Sequence, residues 1–210
     1  VTELFNTYNS IGKNISNRIK YFKSVWDDAD EKKLFQELAF CLLTPQSKAK
    51  NAWATIIKLT ENGKLFKGNS VSIAEDMNLV RFRNNKSRYI VKAREIFFNN
   101  SNGIRETISE FNSVYKKRNW LNKNIKGYGL KESSHFLRNI GFVEDITILD
   151  RHILKNLKKY NVIAEIPKSL SEKKYYEIED KMKEFSEKIS IPLEHLDLIF
   201  WYNETKEIFK

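Results

Sequence analysis

The sequence predicts an all-α fold, and three observations carry that prediction. Only seven Gly and three Pro fall within 210 residues, and three of the glycines lie between positions 127 and 141. So few helix breakers leave long stretches free to be helical. Apolar residues recur at spacings of three and four along much of the chain, and no convincing strand alternation or internal repeat competes with them.

Taken in order, both ends of the chain read as helical. Asp30 is suited to cap a helix whose apolar positions Leu34, Phe35, Leu38, Ala39 and Leu42 share one face. Thr44-Pro45-Gln46 ends it, because proline disfavours helical backbone at the residue before it. Ser47 is the expected cap of a second helix that turns Ala49, Ala52, Trp53, Ile56 and Ile57 inward. Tyr89, Ile90, Ala93, Ile96 and Phe97 make a third apolar face, and Ile104, Ile108 and Phe111 a fourth. Further helices are expected near 131–140, 151–161, 171–189 and 193–203. The tracts 98–103 and 162–170 read as loops rather than flexible interdomain linkers.

Composition narrows the class of protein. With 41% hydrophobic and 30% charged residues, the chain fits a folded globular protein with a sizeable core rather than a disordered one. No apolar run approaches the roughly 20 residues that span a bilayer, and no signal-peptide pattern opens the chain. The single cysteine, Cys41, excludes an internal disulfide and any four-cysteine zinc or iron–sulfur site. It sits in the apolar run Leu38–Leu43 and is expected to be buried, consistent with a reducing interior. Lys and Arg outnumber Asp and Glu by 37 to 27, a formal charge of +10. That excess favours a polyanionic partner, since neutralising phosphates releases condensed counterions.

The most informative segment is 124–150, NIKGYGLKESSHFLRNIGFVEDITILD. Gly127-Tyr128-Gly129 makes a tight turn whose backbone amides could hold a phosphate, directly or through a bound cation. Lys131 follows in the first turn of the next helix. There the positive end of the helix dipole and partial burial disfavour an ammonium, as a nucleophilic amine requires. Arginine could not serve, because a guanidinium stays protonated. Asp150 stands nineteen residues beyond Lys131 at the start of another helix. It can cap that helix, and it can also supply a fixed negative charge.

This segment resembles the helix–hairpin–helix superfamily of base-excision DNA glycosylases. The wording from Lys126 to Asn139, with Ile148 to Leu154 downstream, is most similar to the short archaeal-type 8-oxoguanine DNA glycosylases, and the likeness extends to the ending Leu196–Lys210. The resemblance implies a bilobal architecture with the active site between two helical subdomains. Residues 1–30 and 146–210 would build one, and 31–145 the other, a central bundle ending in the helix–hairpin–helix at about 117–140. It implies a bifunctional enzyme in which Lys131 attacks C1′ of the damaged nucleoside and releases the base. The resulting Schiff base then undergoes β-elimination, with Asp150 assisting.

By the same resemblance, Phe82 and Trp201 sandwich the flipped purine and the terminal Lys210 helps to read it. Gln46 fills the gap left in the duplex, while Gly127, Gly129 and His152 contact DNA. Each has a plainer reading: Phe82 and Trp201 as core, Lys210 as a loose end, Gln46 as a polar loop residue, and His152 as satisfied within its own helix. Arg83, Lys86 and Arg88 fit phosphate contacts or a solvated basic face equally well. His135 and His195 are expected to be structural or surface residues. No metal or cofactor is expected beyond a monovalent cation at the hairpin when DNA is bound, and iron–sulfur relatives differ in that respect. The expected partner is double-stranded DNA containing 8-oxoguanine, met by a monomer away from membranes, on the chromosome in a prokaryotic cytoplasm. Glycosylases for another oxidised base and a non-enzymatic helix–hairpin–helix DNA-binding module are the alternatives. The lysine and the downstream aspartate count against the second.

Overall fold

Long amphipathic segments with few breakers become helices here, and no strand occurs among the described residues. The structure, a computed structural model, describes residues 1–99 and 103–210. Among the described residues twelve α-helices follow in order: α1 (Thr2–Asp28), α2 (Glu31–Leu43), α3 (Ala49–Glu61), α4 (Lys64–Lys67), α5 (Ser70–Glu75), α6 (Arg83–Arg94), α7 (Ile104–Ser109), α8 (Val114–Asn124), α9 (Leu130–Asn139), α10 (Arg151–Lys159), α11 (Glu172–Lys188) and α12 (Leu193–Thr205). They divide into two compact units, Trp26–Phe136 and Val1–Val25 with Leu137–Lys210.

In the Trp26–Phe136 unit, α2 is the central element. Asp30 caps it as its sequence suggests, its carboxylate accepting the Lys33 amide at 2.7 Å. From Leu38 to Leu43 every residue is buried, Cys41 included, so the second half of this helix is enclosed on all sides. It packs against α3, α6 and α7. The α7 start is tied back by Glu31, whose carboxylate accepts the amides of Ile104 and Arg105 at 2.6 and 3.0 Å.

Two local expectations are corrected. Ser47 does not cap α3; Lys48 holds the cap position and makes no side-chain cap bond. The Ser47 hydroxyl instead accepts the Arg81 amide at 3.1 Å, so a non-local donor has claimed it. Of the expected loop 98–103, Phe98 and Asn99 continue α6 as the end of a π-helical turn, Glu95–Asn99, and Gly103 precedes α7. Residues 100–102 of that tract lie outside the described residues.

In the other unit, α1 buries Leu4, Ile11, Ile15, Ile19, Phe22 and Val25 along one stripe. The α9 helix ends at Gly141, with φ +104°, where Gly141 and Phe142 amides bond back to Arg138 and Leu137. This left-handed closure is the kind that glycine permits at lowest cost. The tract 162–170 carries no helix. Beyond it, α12 packs on both α10 and α11.

Candidate active site

The hairpin joins α8 to α9. Gly127 has φ +97°, and a Cβ there would overlap the Tyr89 ring, so both conformation and space demand glycine. Tyr128 folds inward, its hydroxyl donating to Leu38 O at 2.8 Å, and burial pushes its phenol well above the ordinary range. The Tyr128 amide donates to Ile125 O at 3.0 Å. Glu132 reaches back to accept the Gly129 amide at 3.1 Å, the return half of a capping box. Two amides of the turn are therefore already engaged within the protein.

Lys131 projects from the first turn of α9 with its side chain 23% exposed, and its Nζ lies 3.0 Å from the other Glu132 oxygen. One carboxylate thus holds both the turn and the amine. Glu132 has no part in the site expected from sequence, although its place three residues after Gly129 is the signal for it.

Lys86 is corrected. It faces no phosphate, because it is buried and its ammonium donates to Leu43 O at 2.8 Å, Pro45 O at 2.7 Å and Ser47 Oγ at 3.2 Å. Burial, with the charges of Lys131 and Arg81 adding, lowers its pKa to about 8. Arg83 and Arg88 are exposed, and Arg83 donates to Asn78 Oδ1 at 2.5 Å. Two residues of this unit stand out as exposed: Gln46, with φ +55°, and Phe82, with φ +59° and 53% of its surface open. The Arg81 guanidinium lies 5.5 Å from the Phe82 ring centroid. Phe82 is therefore not core.

In the unit formed by the two chain ends, Asp150 caps α10. Its Oδ1 accepts the His152 and Ile153 amides at 2.8 and 2.9 Å. The His152 ring meets Trp201 edge-on at 5.1 Å, and its Nδ1 is 3.9 Å from Glu204. Trp201 is half-buried. Lys210 is buried at 8% exposure, so the last residue is no loose end. Arg138, its guanidinium 4.7 Å from the Phe22 ring centroid, pairs with buried Asp197 at 3.1 Å. Burial raises Asp197 to about 6, partly offset by Arg138 and reinforced by Asp150. A cavity of about 600 Å³ lies in the same unit; Arg18, Tyr21, Tyr202 and Lys206 are among its lining residues, and Trp201 and Lys210 are not. His135 is buried against Phe40, and His195 Nδ1 is bonded to the Tyr8 hydroxyl at 2.9 Å, both structural as expected.

A glycine hairpin between two helices, a lysine two residues beyond it and a helix capped by aspartate downstream define a helix–hairpin–helix DNA glycosylase. The family model for 8-oxoguanine DNA glycosylase matches residues 15–191, and the chain belongs to that family. It is 45% identical over 209 residues to the 8-oxoguanine DNA glycosylase/AP lyase of Fusobacterium nucleatum, covering 99% of this chain and 96% of that one. The crystal structure of the Methanocaldococcus jannaschii 8-oxoguanine glycosylase/lyase in complex with a 15mer DNA containing 8-oxoguanine is similar at a TM-score of 0.90 and 35% identity, covering 100% and 98% of the two chains. The Thermotoga maritima 8-oxoguanine DNA glycosylase structure matches at a TM-score of 0.88 and 28% identity, covering 100% and 97%.

Proposed function

We propose that this chain is a bifunctional base-excision enzyme that releases 8-oxoguanine from double-stranded DNA and then cleaves the abasic strand. The family membership and the DNA-bound relative support the substrate. The observation that carries the chemistry is Lys131, half-buried one residue into the helix after the hairpin and held at 3.0 Å by Glu132.

In this reading the base leaves the stack and enters a pocket, with Phe82 and Trp201 stacking on it and Gln46 occupying the gap. Glu132 is the nearest base to receive the Lys131 proton. The amine then attacks C1′, the glycosidic bond breaks and its electron pair leaves with the base, which takes up a proton. Asp150 offers its second carboxylate oxygen to the positive charge that develops at the sugar. The nitrogen then gives up a proton as the C1′–O4′ bond opens and O4′ takes one up, which leaves the lysine imine. Loss of a C2′ proton breaks the C3′–O bond, and the 3′ phosphate departs with that electron pair. Lys210, held in the fold, contributes to reading the lesion. His152, already set against Trp201, reaches a DNA phosphate.

Phosphate is held at the hairpin by the amides that remain, with Gly127 and Gly129 setting the backbone, or through a monovalent cation on the hairpin carbonyls. Two engaged amides favour the cation route, and no iron–sulfur cluster takes part. The enzyme works as a monomer on the chromosome of a prokaryotic cell; no helix among the described residues is long and apolar enough to cross a membrane.

Borohydride trapping tests the reading. The wild type should form a covalent adduct with an 8-oxoguanine duplex, in preference to one containing an oxidised pyrimidine. Lys131→Gln should bind the duplex yet form none. An adduct of full yield from Lys131→Gln would assign the chemistry to another amine.

A further inference from the structure

Gln46 and Phe82 are both L-residues in the left-handed region, at φ +55° and +59°. Such conformations are costly for a residue that carries a Cβ and persist only where the surroundings over-determine them. Those surroundings are unusually specific. The Lys86 ammonium has three donors, and all three meet oxygens of the Leu43–Ser47 turn that flanks Gln46. Ser47 Oγ accepts a second donor, the Arg81 amide beside Phe82, at 3.1 Å. The Lys86 amide in turn donates to Phe82 O at 3.0 Å. Two exposed, strained residues 36 positions apart (82 − 46) are thus fastened to one hydroxyl and one buried amine.

Burial of a charge is a poor way to gain stability, since an apolar side chain of similar volume does as well or better. What a buried ammonium with three oxygen partners provides is geometry. We propose that Lys86 and Ser47 form a positioning clasp that fixes the Gln46 turn and the Phe82 turn relative to each other, so that duplex opening and stacking of the extruded base occur on one rigid surface. Lys86 is buried, and both side chains act through the turns they hold. The inference rests on the proposed function, in which Gln46 and Phe82 act on the opened duplex.

The consequence is a split between two steps. Base extrusion and excision need both turns in register, whereas cleavage of a pre-formed abasic site needs Lys131 and the hairpin. Ser47→Ala removes the shared oxygen with little change in volume, and should slow excision of 8-oxoguanine from duplex DNA roughly ten-fold, the effect of losing a hydrogen bond to a charged group. Abasic-site cleavage should stay near wild type. Ser47→Thr, which keeps the oxygen, should restore excision. Lys86→Met should slow excision further, with some loss of abasic cleavage as well, because the Lys86 charge also acts on Lys131.

A fluorescent 2-aminopurine placed beside the lesion reads extrusion directly, and its burst should weaken in Ser47→Ala and recover in Ser47→Thr. Excision and abasic cleavage falling together with melting temperature would make the contacts merely structural. Unchanged extrusion in Ser47→Ala would overturn the clasp even if Lys86→Met failed to fold. A wild type that extrudes the reporter but releases no 8-oxoguanine would refute the functional reading alone, leaving the clasp to be judged by the reporter.

Discussion

Asp150 carries two loads that one pair of substitutions separates. Its Oδ1 caps α10 through two amides at 2.8 and 2.9 Å, and no described hydrogen bond uses Oδ2. Asp150→Ala removes cap and charge together. Loss of such a cap costs about 1 kcal/mol, which for a chain of this length lowers the melting temperature by roughly 2–4 °C. Asp150→Asn keeps an oxygen at the cap, where Asn serves about as well as Asp, and should melt with the wild type. Both variants lose the negative charge that faces the sugar in the proposed mechanism. By analogy with removing one preorganised electrostatic contact, single-turnover base release should fall on the order of 10²–10³-fold in each. Melting curves and excision rates on one duplex provide the comparison. If Asp150→Asn excises at the wild-type rate, or if activity tracks melting temperature across the pair, Asp150 is a cap and nothing more.

Deleting Lys210 or appending a C-terminal tag should depress 8-oxoguanine release and spare cleavage of a pre-formed abasic site; Trp201→Ala should do the same, losing stacking of about 1–3 kcal/mol. Equal losses in the two assays would point to misfolding. Duplex affinity should fall steeply with salt, with a log–log slope near −0.9 for each phosphate neutralised, and a flat dependence would contradict a phosphate-holding surface. Asp197, raised from 3.8 to about 6, retains a proton in the folded chain that the unfolded chain gives up. Its contribution to stability is therefore greatest below 3.8 and is lost as the pH rises through about 6. Urea unfolding of Asp197→Asn across that interval should lack this component, and an unaltered pH profile would show that Asp197 does not titrate there.

Features that are local in sequence were legible. The Asp30 and Asp150 caps, the apolar stripes and the hairpin with its lysine each depend on neighbours within one or two helical turns. What escaped notice depends on distant partners. Ser47 has the right type and place for a cap, but the Arg81 amide and the Lys86 amine compete for its oxygen and hold it. Lys86 looked like one cation among several at the start of α6. Its neighbours on the buried stripe, Ile90, Ala93 and Phe97, stand four, seven and eleven residues on, so the periodicity already placed it inward. The chain gives it acceptors there because α2 stops before Pro45, and the carbonyls beyond a helix end need donors from elsewhere. The same holds for Arg138 and Asp197, 59 residues apart in sequence yet 3.1 Å apart in space. A cation or carboxylate on a stripe that is otherwise apolar marks a position where another segment must supply the counterpart. In this chain such positions adjoin the elements to which the chemistry is assigned: Lys86 beside the Gln46 and Phe82 turns, and Asp197 within the field of Asp150.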